Sequence, residues 1–226
     1  MHQFKIAFLL TLVIVAAGCG GTNKPSTADT AKTAAGKPSA TTAKKTILYF
    51  GDSLTAGYGL DDPNDAYPSA VQLKIDSAKL PYTTINGGLS GETSAGGLGR
   101  IDWQLKQHVD VFILELGAND GLRGIPVAET TKNLQAIIDK VKAKYPGAKL
   151  VMLGMQVPPN MGPAYANGFK NIFPSLAAKN NMTLVPFLLQ NVGGIRSLNQ
   201  ADGIHPTAEG AKILANNVWE VLKNVL

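Results

Sequence analysis

Five short apolar runs alternate with longer amphipathic stretches, and this alternation constrains the fold more than any other feature of the chain. The first run, at 46–50 (TILYF), is rich in β-branched and aromatic residues and stops at Gly51, which is typical of a buried strand. Four similar runs lie at 82–86, 111–116, 149–155 and 182–187. The amphipathic stretches, which have helical spacing, lie at 66–79, 95–107, 127–144, 164–179 and 207–226.

Strands that alternate with helices are joined by right-handed crossovers, which give a parallel sheet with helices on both faces. The pattern within 46–226 therefore predicts an α/β fold, a three-layer α/β/α sandwich around a five-stranded parallel sheet. Since 45% of the 226 residues are hydrophobic and 16% are charged, the chain can bury one substantial core. Ligands of such sheets bind at the carboxyl ends of the strands, so functional residues are expected just after each strand.

The first 19 residues have the composition of an export signal. A polar start with Lys5 precedes an apolar run from Ile6 to Ala17, which is too short to span a bilayer as a permanent helix. The segment 16–19 (AAGC) resembles the lipobox of bacterial lipoproteins, in which the signal is cut before the cysteine and the thiol is lipidated. Cys19 is the only cysteine and cannot form an internal disulfide, so lipidation and membrane attachment are predicted for it. An ordinary secretory signal is the alternative.

Glycines at positions 20 and 21, where an aspartate would retain a lipoprotein in the inner membrane, favour by the same resemblance the outer membrane, with the protein facing the periplasm. The following segment, 20–45, contains no isoleucine, leucine, valine or aromatic residue. Such a segment cannot bury enough apolar surface to offset its ordering entropy, so a disordered tether is predicted. A flexible coil of that length spans roughly 25–30 Å.

The net charge of +5 lies in the leader and tether. Residues 1–45 contain six lysines and one acid, whereas 46–226 contain 15 basic and 15 acidic side chains. A neutral domain without a nucleic-acid-binding motif is a poor candidate for binding DNA or RNA, so no such partner is predicted.

Polar residues and glycines follow the first three predicted strands. Ser53 comes after Gly51-Asp52 at the point where a helix is expected to begin, the glycine-rich segment 86–93 follows the second strand, and Asn119 follows the third. Each could be a helix cap or an ordinary turn on its own. Together with Asp202 and His205, which lie just before the last helix, they supply what acyl transfer needs: a nucleophile, a base, an orienting carboxylate and oxyanion donors.

Four segments resemble the signature blocks of the GDSL, or SGNH, hydrolase family. They are 51–54 (GDSL), 90–93 (SGET), 117–120 (GAND) and 202–206 (DGIHP), and they occur in the family's order within a resemblance that runs from about residue 46 to the C-terminus. The chain is most similar to the bacterial periplasmic type described as thioesterase, lysophospholipase or arylesterase, whose fold is flavodoxin-like. Ala118 stands where a second glycine is frequent and Glu92 where an aspartate is frequent, and neither change removes a reacting group.

The resemblance implies a role for each site residue. Ser53 is the expected nucleophile and His205 the expected general base, with Asp202 orienting it. The oxyanion donors are the backbone N–H groups of Ser53 and Gly91 and the side-chain amide of Asn119. Imidazole titrates close to neutral pH and can accept a serine proton there, and the three-residue spacing of DGIH lets the carboxylate reach the ring. His108, at the end of an amphipathic stretch, is expected on the surface.

No cofactor is predicted, because ester hydrolysis through an acyl-enzyme needs only side chains and water, and the scattered histidines form no metal motif. The expected activity is hydrolysis of short- to medium-chain esters, thioesters or lysophospholipids. Two alternatives stay open: a carbohydrate O-acetyl esterase, and a non-catalytic binding lipoprotein on the same fold. Five residues of the segments 120–126 and 156–165 either form an apolar groove for the acyl chain or only cover the sheet ends: Leu122, Ile125, Val157, Pro158 and Met161. The oligomeric state is not predicted.

Overall fold

A computed structural model describes residues 43–226 of the chain. The predicted signal peptide, Cys19 and all but the last three residues of the predicted tether lie outside the described residues. Between residues 43 and 226, no helix is both long and apolar enough to cross a membrane.

Five parallel strands form one sheet in the order β2-β1-β3-β4-β5. Their bounds are β1 Lys45–Gly51, β2 Tyr82–Gly88, β3 Val111–Glu115, β4 Lys149–Leu153 and β5 Thr183–Val185. The chain moves from β1 to one edge strand and then crosses back over β1 to β3, so the direction of winding reverses. Right-handed crossovers in opposite directions place helices on opposite faces, and the predicted α/β/α sandwich is confirmed.

Seven α-helices accompany the sheet within the described part of the chain. Their bounds are α1 Ser53–Ala56, α2 Tyr67–Ser77, α3 Ser94–Gln104, α4 Ala118–Leu122, α5 Val127–Lys144, α6 Pro163–Asn180 and α7 Ala208–Leu222. Helix α2 packs beside α7 on one face, and α5 packs between α3 and α6 on the other. Three short 3₁₀ helices lie in the connections, at Pro63–Asp65, Pro159–Met161 and Arg196–Leu198.

Burial on both faces explains why the central strands carry uninterrupted apolar runs. The side chains from Ile47 to Phe50 in β1 and from Val111 to Leu114 in β3 are buried. Helix α5 covers one face with Leu134, Ile137, Ile138 and Val141, which recur at the three- and four-residue spacing of one helical stripe. That spacing is the reason why the bounds of α5 agree with the sequence prediction.

The last two strands are shorter than predicted. Strand β5 ends at Val185 because Pro186 has no N–H group to donate to a neighbouring strand. Strand β4 ends at Leu153, before Gly154, whose position leaves no room for a side chain: a Cβ there would lie 2.2 Å from the Pro186 carbonyl oxygen. Helices α1 and α4 span four and five residues, which is too short to produce an apolar period in the sequence.

The strand register brings the carboxyl ends of the first three strands to one level. Gly51 in β1 is opposite Gly88 in β2 on one side and Glu115 in β3 on the other. The segments that begin at Ser53, Leu89 and Gly117 therefore leave the same edge of the sheet.

Candidate active site

The turn from β1 into α1 positions Ser53 at the start of a helix. The Asp52 carboxylate caps this helix by accepting a hydrogen bond from the Leu54 N–H, 3.1 Å away. Gly51 is needed here for space and not for a left-handed backbone, because a Cβ would lie 2.1 Å from the Thr55 hydroxyl and 2.5 Å from the Glu115 carboxyl. The Ser53 side chain thus stands on a tightly packed turn and lines an open cavity.

Asp202 and His205 form one compact turn. Asp202 Oδ2 lies 2.6 Å from His205 Nδ1, while Oδ1 accepts hydrogen bonds from the backbone N–H groups of Ile204 and His205. The bond with the imidazole, helped by the two N–H groups, lowers the pKa of Asp202 to about 2, so the carboxylate stays ionised throughout the neutral range. Gly203 allows this turn, because its φ of 72° lies in the left-handed region.

The other nitrogen of the imidazole faces Ser53. His205 Nε2 lies 2.9 Å from Ser53 Oγ, although the two residues are 152 positions apart in the chain. Asp202, His205 and Ser53 thus form one continuous hydrogen-bonded series. This is the geometry in which a serine hydroxyl can transfer its proton as it attacks a carbonyl carbon.

Gln200 and Tyr58, which the sequence analysis did not identify, hold in place the loop that carries His205. The Gln200 amide donates to the carbonyl oxygens of Tyr58 and Pro206, at 2.8 and 2.9 Å, and so ties the loop after α1 to the loop that carries His205. The Tyr58 ring packs on the imidazole with 4.7 Å between the ring centroids. The histidine is therefore held by its carboxylate partner and by an aromatic face.

The three expected oxyanion donors have different surroundings. Within residues 43–226, the backbone N–H groups of Ser53 and Gly91 make no hydrogen bond to a backbone carbonyl. Asn119 lines the same cavity as Ser53, and its Nδ2 donates to Glu92 O at 3.1 Å and to Asp52 Oδ2 at 3.2 Å. Gly91 does not line that cavity, but it directly precedes Glu92 in the chain.

Arg100 of α3 connects the strand ends around these donors. Its guanidinium forms a two-pronged ion pair with Glu92, with N···O distances of 2.6 and 2.5 Å. The same group donates to the carbonyl oxygens of Gly87 and Gly51, at 2.8 and 3.2 Å, and lies 4.2 Å from the centre of the Phe50 ring. One side chain thus joins the ends of β1 and β2 to the segment that carries Gly91.

Two buried carboxyl groups, those of Asp52 and Glu115, lie at the turn that carries Ser53. Burial raises the pKa of Asp52 to about 6, against the opposing effect of hydrogen bonds from Leu54 and Asn119. Burial and the neighbouring Asp52 raise the pKa of Glu115 well above its usual value. Glu115 Oε2 accepts hydrogen bonds from the Asp52 N–H and the Thr55 hydroxyl, whereas Oε1 has no partner among the described residues. Glu115 therefore keeps its proton to a higher pH than an exposed glutamic acid does.

A cavity of about 470 Å³ opens beside Ser53, Asn119 and His205. Three of the five predicted groove residues line it, namely Leu122, Val157 and Pro158, while Ile125 and Met161 do not. Two further apolar lining residues, Leu54 and Ile204, belong to the signature segments 51–54 and 202–206. Met155, Phe187 and Leu189 also line the cavity, and they come from segments that the sequence analysis did not connect with the site.

Comparison with known proteins agrees with the geometry. The sequence profile of the GDSL-like Lipase/Acylhydrolase family matches residues 49–213. The chain belongs to this family. It is an enzyme that hydrolyses carboxylic esters, as the sequence analysis predicted.

Characterised relatives cover most of this chain. It is 40% identical over 185 residues to Esterase TesA of Pseudomonas aeruginosa, an alignment that spans 81% of this chain and 90% of the relative. It is 36% identical over 175 residues to Thioesterase 1/protease 1/lysophospholipase L1 of Escherichia coli, over 77% of this chain and 81% of that protein. The crystal structure of TesA superposes with a TM-score of 0.77, at 40% identity, and covers 80% of this chain and all of that one.

The residues that the sequence analysis missed gave weak signals. Arg100 lies eight positions after Glu92, which puts it two turns into the helix that follows, but nothing in the local sequence indicates that its guanidinium reaches Gly51 O. Glu115 interrupts an apolar strand, and a carboxyl group in a buried strand is a recognisable anomaly. Gln200 and Tyr58 are common residue types in loops, so the sequence does not distinguish them.

Proposed function

We propose that this enzyme cleaves acyl esters through an acyl-enzyme on Ser53. His205 Nε2 takes the hydroxyl proton as Ser53 Oγ attacks the carbonyl carbon, and Asp202 stabilises the imidazolium. The imidazolium then protonates the leaving group, and water releases the acyl group in a second step with the same base. The observation that carries the proposal is the unbroken series from Asp202 through His205 to Ser53, with distances of 2.6 and 2.9 Å.

In this proposal the tetrahedral oxyanion is stabilised by the N–H groups of Ser53 and Gly91 and by the amide of Asn119. The Asn119 Nδ2 carries two hydrogens, and in the free enzyme these donate to Glu92 O and Asp52 Oδ2. One of the two bonds must therefore be exchanged for the oxyanion while the other continues to orient the amide. Donors held in advance in this way stabilise the transition state without a large reorganisation.

The apolar cavity supports a substrate with an acyl chain longer than acetate. Met155, Val157, Phe187 and Leu189 offer aliphatic and aromatic surface next to the nucleophile, and each buried methylene group contributes about 0.8 kcal/mol. Short- to medium-chain esters, thioesters and lysophospholipids meet this requirement. The name of the Escherichia coli relative, a thioesterase and lysophospholipase, supports the same substrate classes.

A series of p-nitrophenyl esters from acetate to dodecanoate tests both the reaction and the chain preference. The value of kcat/KM is expected to rise by up to about fourfold for each methylene group that the cavity buries and then to level off when the cavity is filled. A preference for acetate over every longer chain would favour the carbohydrate O-acetyl esterase, and a complete lack of hydrolysis would favour a binding protein.

The nucleophile is tested with Ser53→Ala. This variant is expected to lose ester hydrolysis and covalent labelling by a fluorophosphonate, because Ser53 Oγ is the hydroxyl that bonds to the imidazole among residues 43–226. Ser69→Ala serves as the control, since Ser69 Oγ bonds only to the Pro63 carbonyl on the surface. Labelling that persists in Ser53→Ala would show that another serine reacts.

We further propose that the enzyme is exported and that a lipid attached to Cys19 holds it at the outer membrane, where it faces the periplasm. The support is the sequence of residues 1–21, which lies outside the described part of the structure. Cys19→Ser is expected to move the enzyme from the membrane fraction to the soluble fraction of the producing cells, measured by immunoblot and esterase activity. Equal distribution of the variant and the unaltered enzyme between the fractions would contradict lipid anchoring.

A further inference from the structure

A second cavity, of about 320 Å³, adjoins the cavity beside Ser53, next to the loop that carries His205. The two cavities share three lining residues, Gly194, Asn199 and Gly203. The rest of the second cavity is lined by Arg196, Gln200 and Ala201. It is therefore an extension of the site that has a charged and polar wall.

The chemistry of acyl transfer assigns the two cavities to different parts of a substrate. The leaving group must lie next to the base that protonates it, which is His205. The second cavity is bounded by the loop that carries this histidine, whereas Met155, Val157 and Phe187 line only the first. The acyl chain thus fits the first cavity and the alcohol or thiol part fits the second.

Arg196 differs from the other two arginines of the chain, because its guanidinium has no hydrogen-bond or ion-pair partner in the described part of the chain. Arg100 is paired with Glu92, and Arg123 donates to Gly91 O at 3.1 Å. The guanidinium of Arg196 has no carboxylate within 4.0 Å and makes no hydrogen bond among residues 43–226. The acidic residue of the neighbouring loop, Asp202, is occupied by His205 and two backbone N–H groups.

We propose that the second cavity is the leaving-group subsite and that Arg196 binds a phosphate on that group. The guanidinium has the planar fork that matches phosphate oxygens, and its charge is available. The proposal rests on the proposed function. It predicts preference for esters or thioesters whose alcohol or thiol part carries a phosphate, either in a glycerophospholipid or in a nucleotide-bearing thiol.

The test compares substrates that differ only in the phosphate-bearing part. One pair is 1-octanoylglycerol and its 3-phosphate, and the other is octanoyl-pantetheine and octanoyl-CoA, each used below its critical micelle concentration. For Arg196→Gln, KM is expected to rise roughly fivefold to tenfold for the phosphate-bearing member of at least one pair and to stay unchanged for the neutral members. Arg196→Lys should recover part of the difference.

Lys179→Gln is the control for loss of one positive charge. Lys179 is exposed near the end of α6, just before β5 begins, and so lies toward the amino ends of the strands, away from the site. Added salt should weaken the phosphate preference of the unaltered enzyme and leave Arg196→Gln unaffected. A response by only one pair identifies the lipid or the nucleotide as the source of the phosphate.

Equal KM values for Arg196→Gln and the unaltered enzyme on both phosphate-bearing substrates would overturn the subsite. An equal loss on neutral and phosphate-bearing substrates would also overturn it. Hydrolysis of p-nitrophenyl octanoate by the unaltered enzyme separates these results from failure of the proposed function. If only the subsite proposal is wrong, the unaltered enzyme still hydrolyses this ester. If the proposed acyl-enzyme reaction is wrong, the unaltered enzyme does not hydrolyse it.

Discussion

At the scale of single residues, Asn119 connects two segments of the site. Its amide donates to the Glu92 carbonyl oxygen, next to Gly91, and to the Asp52 carboxyl group, next to Ser53, so it joins two of the three segments that carry the proposed oxyanion donors. The following residue, Asp120, is buried and accepts a hydrogen bond from Ser94 N, which fixes α4 against the start of α3. The amide is thereby held on both sides before a substrate arrives.

Asn119→Ala is expected to lower kcat by roughly 10²–10³-fold, because one oxyanion donor is removed while the nucleophile and base are retained. Thermal unfolding should show a folded protein at the assay temperature. The control is Asn180→Ala near the end of α6, away from the cavity. It removes two bonds donated to Leu176 O and Gln135 Oε1 and two bonds accepted from Gln135 Nε2 and Lys142 Nζ, so it is at least as disruptive to the fold. If kcat falls equally in the two variants, Asn119 has no role in stabilising the oxyanion.

At the scale of secondary-structure elements, the site depends on how the strand ends are held relative to one another. Strand pairing stops at Gly51 and Gly88, so the segments beyond need side chains to fix them. Arg100, projecting from α3, supplies four hydrogen bonds: two to Glu92 in the segment after β2, and one each to the carbonyl oxygens of Gly51 and Gly87 at the strand ends. We infer that it is a positioning residue for the oxyanion donors.

Arg100→Lys tests this inference. A lysine ammonium has no planar fork and cannot hold both Glu92 oxygens and two carbonyls at once. We expect kcat to fall by up to about 10²-fold through misplacement of the donors, with KM changing much less. The rate of fluorophosphonate labelling of Ser53 should fall in parallel.

Asp102→Asn on the same helix is the control, since it removes only an exposed ion pair with Lys140. If Arg100→Lys has the same kcat as the unaltered enzyme, or if only its KM changes, the positioning role is contradicted.

At the scale of the whole molecule, the buried acids link the site to stability. Glu115 is fully buried beside Asp52, Thr55 and Tyr67, the last of which bonds to the Thr55 hydroxyl at 2.8 Å. An unfolded glutamic acid releases its proton near pH 4.3. Because the folded protein keeps the proton well above that pH, folding takes up a proton there, and the stability conferred by the neutral acid declines as pH rises.

Glu115→Gln should remove this decline. Between pH 7 and 8 the contribution of Asp52 has largely ended, since its pKa is about 6, so the remaining slope from the two acids belongs mainly to Glu115. The unaltered protein is expected to lose up to about 1.4 kcal/mol of unfolding free energy per pH unit relative to Glu115→Gln, measured by urea unfolding. Glu220→Gln on the exposed face of α7 is the control. Identical pH slopes in Glu115→Gln and the unaltered protein would show that Glu115 is ionised in the fold.

The sequence by itself determined the alternation of strands and helices, and with it the parallel sheet and the edge at which Ser53, Asn119 and His205 were sought. Apolar periodicity and turn residues act within a few positions of each other, so a local pattern is enough to specify them. Only the packed fold brings Arg100 to Gly51 O, buries Glu115 beside Asp52, and makes Phe187 but not Ile125 line the cavity. These features depend on distances between segments that are tens of residues apart, and such distances are set only when the helices and the sheet pack together.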